Sequence, residues 1–370
     1  MKKFLIVFLV LILKIGVLKS DVSLTGYQEF IGGSADQTML LGVDGNHGID
    51  KGGFSNGIYS RVMLKANSIT ESGIEIVGTY TFTRDCRSDT DNCGVSANEN
   101  ALAFGGSFGT IAFGETGTAG TSLHSRLTAG IPTAEPDGLL YTHFITLDSS
   151  NTYTGPNETK YASNPMTIKY FSNSYSGFSF GISHTTNTSI GGGDSDSNNQ
   201  QTVDYTAGSF NDLTEVVAKY ETAVDSMNIA FTYGYGMGNA GSQGTSEYED
   251  LNESTYSLAL SYGGVSADYR TGDRGSAGRI KDDGSGGQKY TSYCAKYSIS
   301  NISVGYCEED SDFTTSSNTT NNQSTRTIAA GYDIGGGANI EVAYFNFEQS
   351  ADAVVRTDAD GMLTKLSFGF

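Results

Sequence analysis

The sequence contains no tryptophan, four prolines, four cysteines and four histidines among 370 residues. So little proline excludes a proline-rich linker or a collagen-like rod, and so little cysteine excludes a disulfide-dense scaffold. No CxxC pair occurs and no histidine lies near a cysteine, so no metal centre is expected. Basic residues are scarce as well: 22 Lys and Arg stand against 41 Asp and Glu, a net charge of −19 that rules against DNA or RNA as a partner. Beyond the first 20 residues no apolar run approaches the roughly 18 residues that a membrane helix needs. Hydrophobic residues reach 37%, a low share for a packed soluble core of this length.

What is abundant points to β-structure. Glycine stands at 48, tyrosine at 22 and phenylalanine at 19. Aromatics at 11% with charge at only 17% do not fit a disordered chain.

Residues 1–20 read MKKFLIVFLVLILKIGVLKS: two lysines, an apolar run from Phe4 to Leu13, then a polar exit. This is the layout of a secretory signal peptide. A membrane anchor is the other reading, but the apolar run is short and Lys14 interrupts its far side. Leu18 and Ser20 stand where a cleavage site usually has small residues. Removal of 1–20 takes Lys2, Lys3, Lys14 and Lys19, leaving 18 basic against 41 acidic residues, a net −23 over a single domain, 21–370.

Alternating apolar residues recur along that domain. Ile74, Ile76, Gly78, Tyr80 and Phe82 alternate with Glu75, Val77, Thr79 and Thr81; Ile229, Phe231, Tyr233, Tyr235 and Tyr256, Leu258, Leu260, Tyr262 follow the same rule. One face is aliphatic or aromatic, the other small, polar or charged. Sixteen such segments are expected, near 22–31, 56–66, 72–84, 98–106, 108–116, 163–172, 177–186, 213–222, 227–237, 253–263, 265–271, 289–299, 302–309, 325–335, 338–348 and 361–370. Short turns such as Asn173–Ser176, Gly264 and Gly335–Gly337 alternate with long polar connections such as 187–212 and 310–324. An even strand count with short and long connections in alternation is the pattern of a transmembrane antiparallel β-barrel. A soluble sandwich also alternates, but it would need a larger apolar core than this composition supplies. The fold expected is therefore all-β, with the apolar face outward.

Export accounts for the cysteines. Cys86 and Cys93 bracket a turn-rich loop, RDCRSDTDNCG, and a local disulfide is expected in an oxidising compartment. A two-residue hairpin loop at Ser300–Asn301 sets Ile299 opposite Ile302 and, stepping back along both strands, Cys294 opposite Cys307. That pair falls on a non-hydrogen-bonded rung, where the Cα atoms are closest, and a cross-strand disulfide facing the lumen is expected.

Two stretches stand apart. The segment 117–162 is far longer than ordinary connections, holds Pro132, Pro136 and Pro156, and carries Glu135, Asp137, Asp148 and Glu158. In a large barrel such a loop can fold inward and narrow the channel; an ordinary outer loop is the bland alternative. The chain ends GMLTKLSFGF, with Phe370 last and Phe368, Leu366, Thr364 and Met362 alternating behind it. This resembles the signal read by the barrel assembly machinery of bacterial outer membranes.

GGSFGTIAFGET at 105–116, NPMTIKYFSNSYSGFSF at 164–180 and the terminal SFGF together resemble the Gram-negative general diffusion porins. The resemblance implies a sixteen-stranded outer-membrane barrel set in lipid, a homotrimer, and three water-filled pores each narrowed by its inward third loop. It also implies opposed charges at the constriction. By position, the basic wall falls on Arg61, Lys65 and Lys169, and the acidic side on Glu115, Glu135, Asp137 and Asp148. Glu115 stands where the family often has arginine, which weakens the positive wall. The high negative charge favours cations among the small hydrophilic solutes and ions that would pass.

Catalytic chemistry is thin. His47, His124, His143 and His184 are scattered, and no GxSxG nucleophile motif occurs. GGGDSDSNN at 191–199 lacks the closing glutamate of a calcium loop and reads as a solvated loop. No enzyme and no cofactor are expected. The competing function is a surface-exposed structural or adhesive barrel whose polar loops bind a partner and whose interior does not conduct.

Overall fold

The protein is described here by a computed structural model covering residues 20–41, 46–86, 94–123, 144–145, 166–187, 210–240, 242–243, 246–315, 319–352 and 354–370. Residues 1–19 of the expected signal peptide, Cys93, and the loop acids Glu135, Asp137 and Asp148 lie outside the described residues.

Nineteen strands and one short helix are formed among the described residues. In chain order they are β1 (Ser20–Leu41), β2 (Asn46–Lys51), β3 (Phe54–Ile69), β4 (Glu75–Cys86), β5 (Val95–Gly106) and β6 (Gly109–Glu115). The helix α1 (Ala119–Leu123) follows, then β7 (Met166–Phe171), β8 (Phe178–Asn187), β9 (Asn211–Val224) and β10 (Met227–Asn239). The rest are β11 (Ser242–Gln243), β12 (Ser246–Glu247), β13 (Leu251–Tyr262), β14 (Val265–Gly275), β15 (Gly286–Ile299), β16 (Ile302–Thr314), β17 (Thr320–Gly335), β18 (Ala338–Ala351) and β19 (Val354–Gly369).

Sixteen of these strands close into one antiparallel barrel. Each pairs with its chain neighbour, and β1 pairs with β3 on one side and β19 on the other. Closure leaves the ring without an edge strand, and ladders pair the backbone N–H and C=O groups of successive strands, as a lipid environment requires. β2 pairs with the far end of β1 and extends that hairpin beyond the ring; β11 and β12 form a separate small ribbon. All sixteen segments expected from the alternation correspond to wall strands. The strands run longer than the apolar pattern, as in β19, because the ladder needs paired amides and continues where the side chains turn polar.

Directly paired residues share a face, so the register carries one face round the ring: Cys294, Cys307, Thr327, Phe345, Gly361 and Ala35 in succession. This face is the luminal one. Phe345 on it is 0% exposed, while its neighbour Tyr344 on the outer face is 46% exposed. The outer face presents Phe231, Leu258, Tyr256, Ile328, Val342 and Leu366, all exposed, as a lipid-facing band should. The band ends at a polar step on β16, where Glu308 accepts hydrogen bonds from the Tyr293 and Tyr306 hydroxyls and from Arg326 Nε.

The luminal face departs from the expected small, polar or charged surface. Ile31, Ala343, Phe345, Phe347, Ala359 and Leu363 form a buried apolar cluster on the inside of β1, β18 and β19, joined by Cys294, Cys307 and Ala329. A smaller cluster gathers Phe210, Leu213, Ala240 and Leu251 with Tyr248 and Ala277. Both are covered by polypeptide, which is why apolar side chains persist on the luminal side.

The rim of short turns is built by residues with left-handed backbone. Gly335, Gly336 and Gly337 have φ of 91°, 64° and 86° between β17 and β18, a run that side chains with a Cβ would strain. The opposite rim carries the long connections.

Candidate functional site: the lumen and the segment that enters it

Charged side chains line the luminal face as local pairs. Arg61 on β3 donates to Glu99 on β5 at 2.7 Å, with the Thr81 hydroxyl 3.4 Å from the same carboxylate oxygen. Arg270 pairs with Asp268 at 3.1 Å and Arg274 with Glu253 at 3.2 Å. Lys365 lies between Glu341 at 3.3 Å and Glu29 at 3.5 Å. Glu253 and Lys365 are 0% and 2% exposed, so these charges need their partners: an unpaired ion at such depth costs several kcal/mol.

Beyond β6 the chain turns onto this luminal surface. Gly114 makes the turn possible: its φ is 129°, and a Cβ there would stand 2.1 Å from the Asn100 carbonyl oxygen. Residues 116–123 then dock on β7, β8 and β9. Lys169 Nζ donates to Gly117 O at 2.7 Å, Thr116 Oγ1 at 3.0 Å and Ser122 Oγ at 3.4 Å. At the start of α1, Ala119 N donates to Ser183 Oγ at 2.9 Å and Gly120 N to Glu215 Oε2 at 3.0 Å. Ser183 Oγ also donates to that carboxylate at 3.3 Å. The first-turn N–H groups of a helix lack intrahelical acceptors, and here a buried hydroxyl and carboxylate supply them.

The segment is described again at Phe144–Ile145, and there it meets the other wall. Ile145, 6% exposed, belongs to the apolar cluster with Ile31, Phe345 and Leu363, and Phe144 packs against it. In ring order β18 stands half-way round the barrel from β8. The two described pieces of 117–162 therefore touch opposite luminal walls.

The residues expected at the constriction divide accordingly. Arg61, Lys65 and Lys169 share the luminal face by register, with Tyr27, Ser23 and Ser183 as their direct partners. Lys169 is 9% exposed and holds the incoming segment; it does not stand open in the lumen. Glu115 requires a correction: it pairs with Asn100 and Met166 on the outer face of β6, while Ala112 pairs with Lys169 on the inner one. Strict alternation through β6, whose pairing with β5 runs without a register shift from Gly109 to Glu115, fixes that outcome. Glu99, Ser183 and Glu215 were not singled out from the sequence, although alternation against the outward Phe180 and Ile182 and against Val216 places Ser183 and Glu215 inside.

Cys294 and Cys307 are joined by a disulfide, with Cα atoms 4.1 Å apart on directly paired positions. Cys86 ends β4, and its expected partner Cys93 lies outside the described residues. Phe370 exchanges two backbone hydrogen bonds of 2.9 Å with Gly26, which fastens the chain's end to β1 and leaves the Phe368 and Phe370 rings on the outer face. At the long-loop rim, between β14 and β15, hydrogen bonds from the Ser285 hydroxyl and amide hold the Asp283 carboxyl below the usual carboxylate range. Nearby, burial lowers the Arg279 pKa, and its guanidinium lies 4.6 Å from the Phe313 ring centroid.

A closed barrel with a lipid-facing apolar belt and a charged interior, with residues 116–123 and 144–145 seated on its luminal wall, is the architecture of a transmembrane channel. The sequence profile of the Gram-negative porins matches residues 13–352, and the chain belongs to that family. It is an outer-membrane β-barrel porin. The anion-selective porin of Comamonas acidovorans has the same fold at 14% identity and TM-score 0.59, covering 95% of this chain and 100% of that one. A loop L8 deletion mutant of OmpT, an outer membrane protein of Vibrio cholerae, aligns at 11% identity and TM-score 0.60, covering 95% and 99%. A mutant of the Rh. blastica porin aligns at 15% identity and TM-score 0.56, covering 95% and 100%. No curated protein sequence matches the chain significantly.

Proposed function

We propose that the protein is a homotrimeric diffusion channel for small hydrophilic solutes and ions, with a preference for cations, and that 117–162 is its constriction loop. The observation that carries this reading is the placement of 116–123 and Phe144–Ile145 on opposite luminal walls. A segment fixed at both walls narrows the aqueous path between them, and pore diameter with lining charge then sets what passes. The net charge of −19 supports cation preference. Arg61 and Lys65 remain the basic wall of this reading, Lys169 becomes the holder of the loop's start, and Glu135, Asp137 and Asp148 supply its acids. Residues 1–20 act as the signal peptide, Cys86 pairs with Cys93, and Phe368 and Phe370 are the aromatics read by the assembly machinery.

Trimer formation draws support from the outer face of β3–β7. A depression of about 540 Å³ there is lined by Leu64, Ala66, Tyr80 and Phe113 together with Asn100 and Glu115. A carboxylate and an amide in the lipid band are poorly served by acyl chains and well served by a neighbouring subunit.

The test is planar-bilayer conductance of the detergent-purified protein under a salt gradient. Stepwise openings in groups of three with a cation-favouring reversal potential are expected. Single steps would remove the trimer, an anion-favouring potential would remove the cation preference, and folded protein without steps would favour the structural or adhesive reading.

A further inference from the structure

We infer that Phe144 and Ile145, seated on the apolar luminal patch of β1 and β15–β19, are the far anchor that fixes where the long segment crosses the lumen. The inference rests on the conducting reading above and adds the residues that set the pore's width. Its basis is a surface that a water-lined wall does not need. Ile31, Phe345, Phe347 and Leu363 are each exposed by 1% or less, on the side of the sheet that faces the lumen. Large apolar groups left against water would be unfavourable in proportion to their area, so this patch exists as half of a contact. The other half among the described residues is Phe144 and Ile145.

The wall is shaped to take them. Gly33 on β1 lies on the luminal face, and a Cβ there would stand 3.2 Å from Phe144 Cε1, 2.9 Å from Leu363 Cδ2 and 2.5 Å from the Met362 carbonyl oxygen. The absence of a side chain at Gly33 thus opens the place where the Phe144 ring rests. The Cys294–Cys307 bond lies within the same cluster and ties β15 to β16 beneath it, so the seat's outer strands cannot shear apart. Phe144 and Ile145 are positioning residues: they hold the narrowing segment and need touch no solute.

Single-channel recording of Phe144→Ser, with Phe144→Leu as the conservative control, tests this when paired with amide hydrogen exchange over the peptide containing residues 144–145. The serine variant is expected to raise open-state conductance by about half or more, or to add open-state flicker, as a wider or looser constriction should. Its exchange there should quicken by about tenfold or more, as a lost local contact should, while Phe144→Leu stays near wild type in both readouts. Heat-modifiable gel mobility confirms that each barrel is folded. Wild-type conductance together with wild-type exchange in folded Phe144→Ser protein overturns the inference. If the unaltered protein gives no channels, the conducting reading fails on its own, and the exchange rates alone decide the anchor.

Discussion

The two luminal walls hold the same segment by different physics. On β7–β9 the contact is directional: Lys169, Ser183 and Glu215 meet backbone groups of residues 117–120 at 2.7 to 3.0 Å. On β1 and β15–β19 it is apolar, with Ile31, Phe345 and Leu363 closing over Ile145. Hydrogen bonds fix angle and register and fail at once when an acceptor is removed. Apolar burial fixes no angle, and its loss scales with the volume removed. The directional wall sits where the chain leaves the barrel and its path must be set. The apolar wall sits at the far side, where the segment needs only to be kept from lifting.

The largest expected effect separates the inside of the apolar wall from its outside. Phe345→Ala deletes a side chain that is 0% exposed and should cost about 3 to 5 kcal/mol of barrel stability. Tyr344→Ala, one residue away on the outer face, leaves no internal cavity and should cost about 1 kcal/mol or less. Urea unfolding followed by the heat-modifiable gel shift measures both. Equal losses would mean that Phe345 is not packed as a core residue, and the contrast between the walls would lose its basis.

Next comes the disulfide within the same patch. Cys294 and Cys307 are 13 residues apart in sequence, and replacing both with Ala should destabilise the barrel by about 3 kcal/mol through the freed unfolded chain. Reductant should reproduce this loss in the unaltered protein only under partial unfolding, since both sulfurs are buried. Ready reduction of the fully folded protein would show the seat to be open to solvent.

Much of this was legible in the chain. Sixteen alternating segments became sixteen wall strands because the period-two pattern is the direct image of a two-faced sheet. The hairpin at Ser300–Asn301 gave the Cys294 and Cys307 pairing because a two-residue loop leaves no freedom of register. The apolar luminal patch was hidden for the same reason that the strands were visible. In Tyr344, Phe345, Asn346 and Phe347 alternation says that two faces exist and not which is covered, and both carry aromatics. Glu99 lies on the luminal face with Ala101 and Ala103 by plain alternation, but nothing in the sequence pairs it with Arg61 two strands away. Glu115 was misplaced because its place at the constriction was carried over by position from the family resemblance, when the unbroken ladder of β6 decides its face. The landing of Phe144 and Ile145 has no periodic signature at all, since it depends on a contact across the whole barrel.

On the directional wall the expected losses are smaller and chemically specific. Glu215→Gln keeps an acceptor for Gly120 N but removes the charge, and should cost about 2 kcal/mol. In Glu215→Leu the amide loses its acceptor altogether, and hydrogen exchange at Gly120 should quicken further. If the two variants behave alike, charge and not geometry holds α1, and the contrast drawn between the walls would need restating.

The smallest effect is the most discriminating. Ser183→Ala removes the hydroxyl that accepts from Ala119 N and donates to Glu215, and should cost about 1 kcal/mol. Ser183→Thr, which keeps the hydroxyl, should restore most of that loss. The wall at Ser183 is buried, so the loss should be the same at low and high salt; screening acts on exposed charges and reaches such a bond weakly. A loss that disappears at high salt would assign the effect to the Lys169 and Glu215 charges and not to the bond at Ala119. A loss that Thr does not restore would assign it to packing, which would make this wall resemble its opposite.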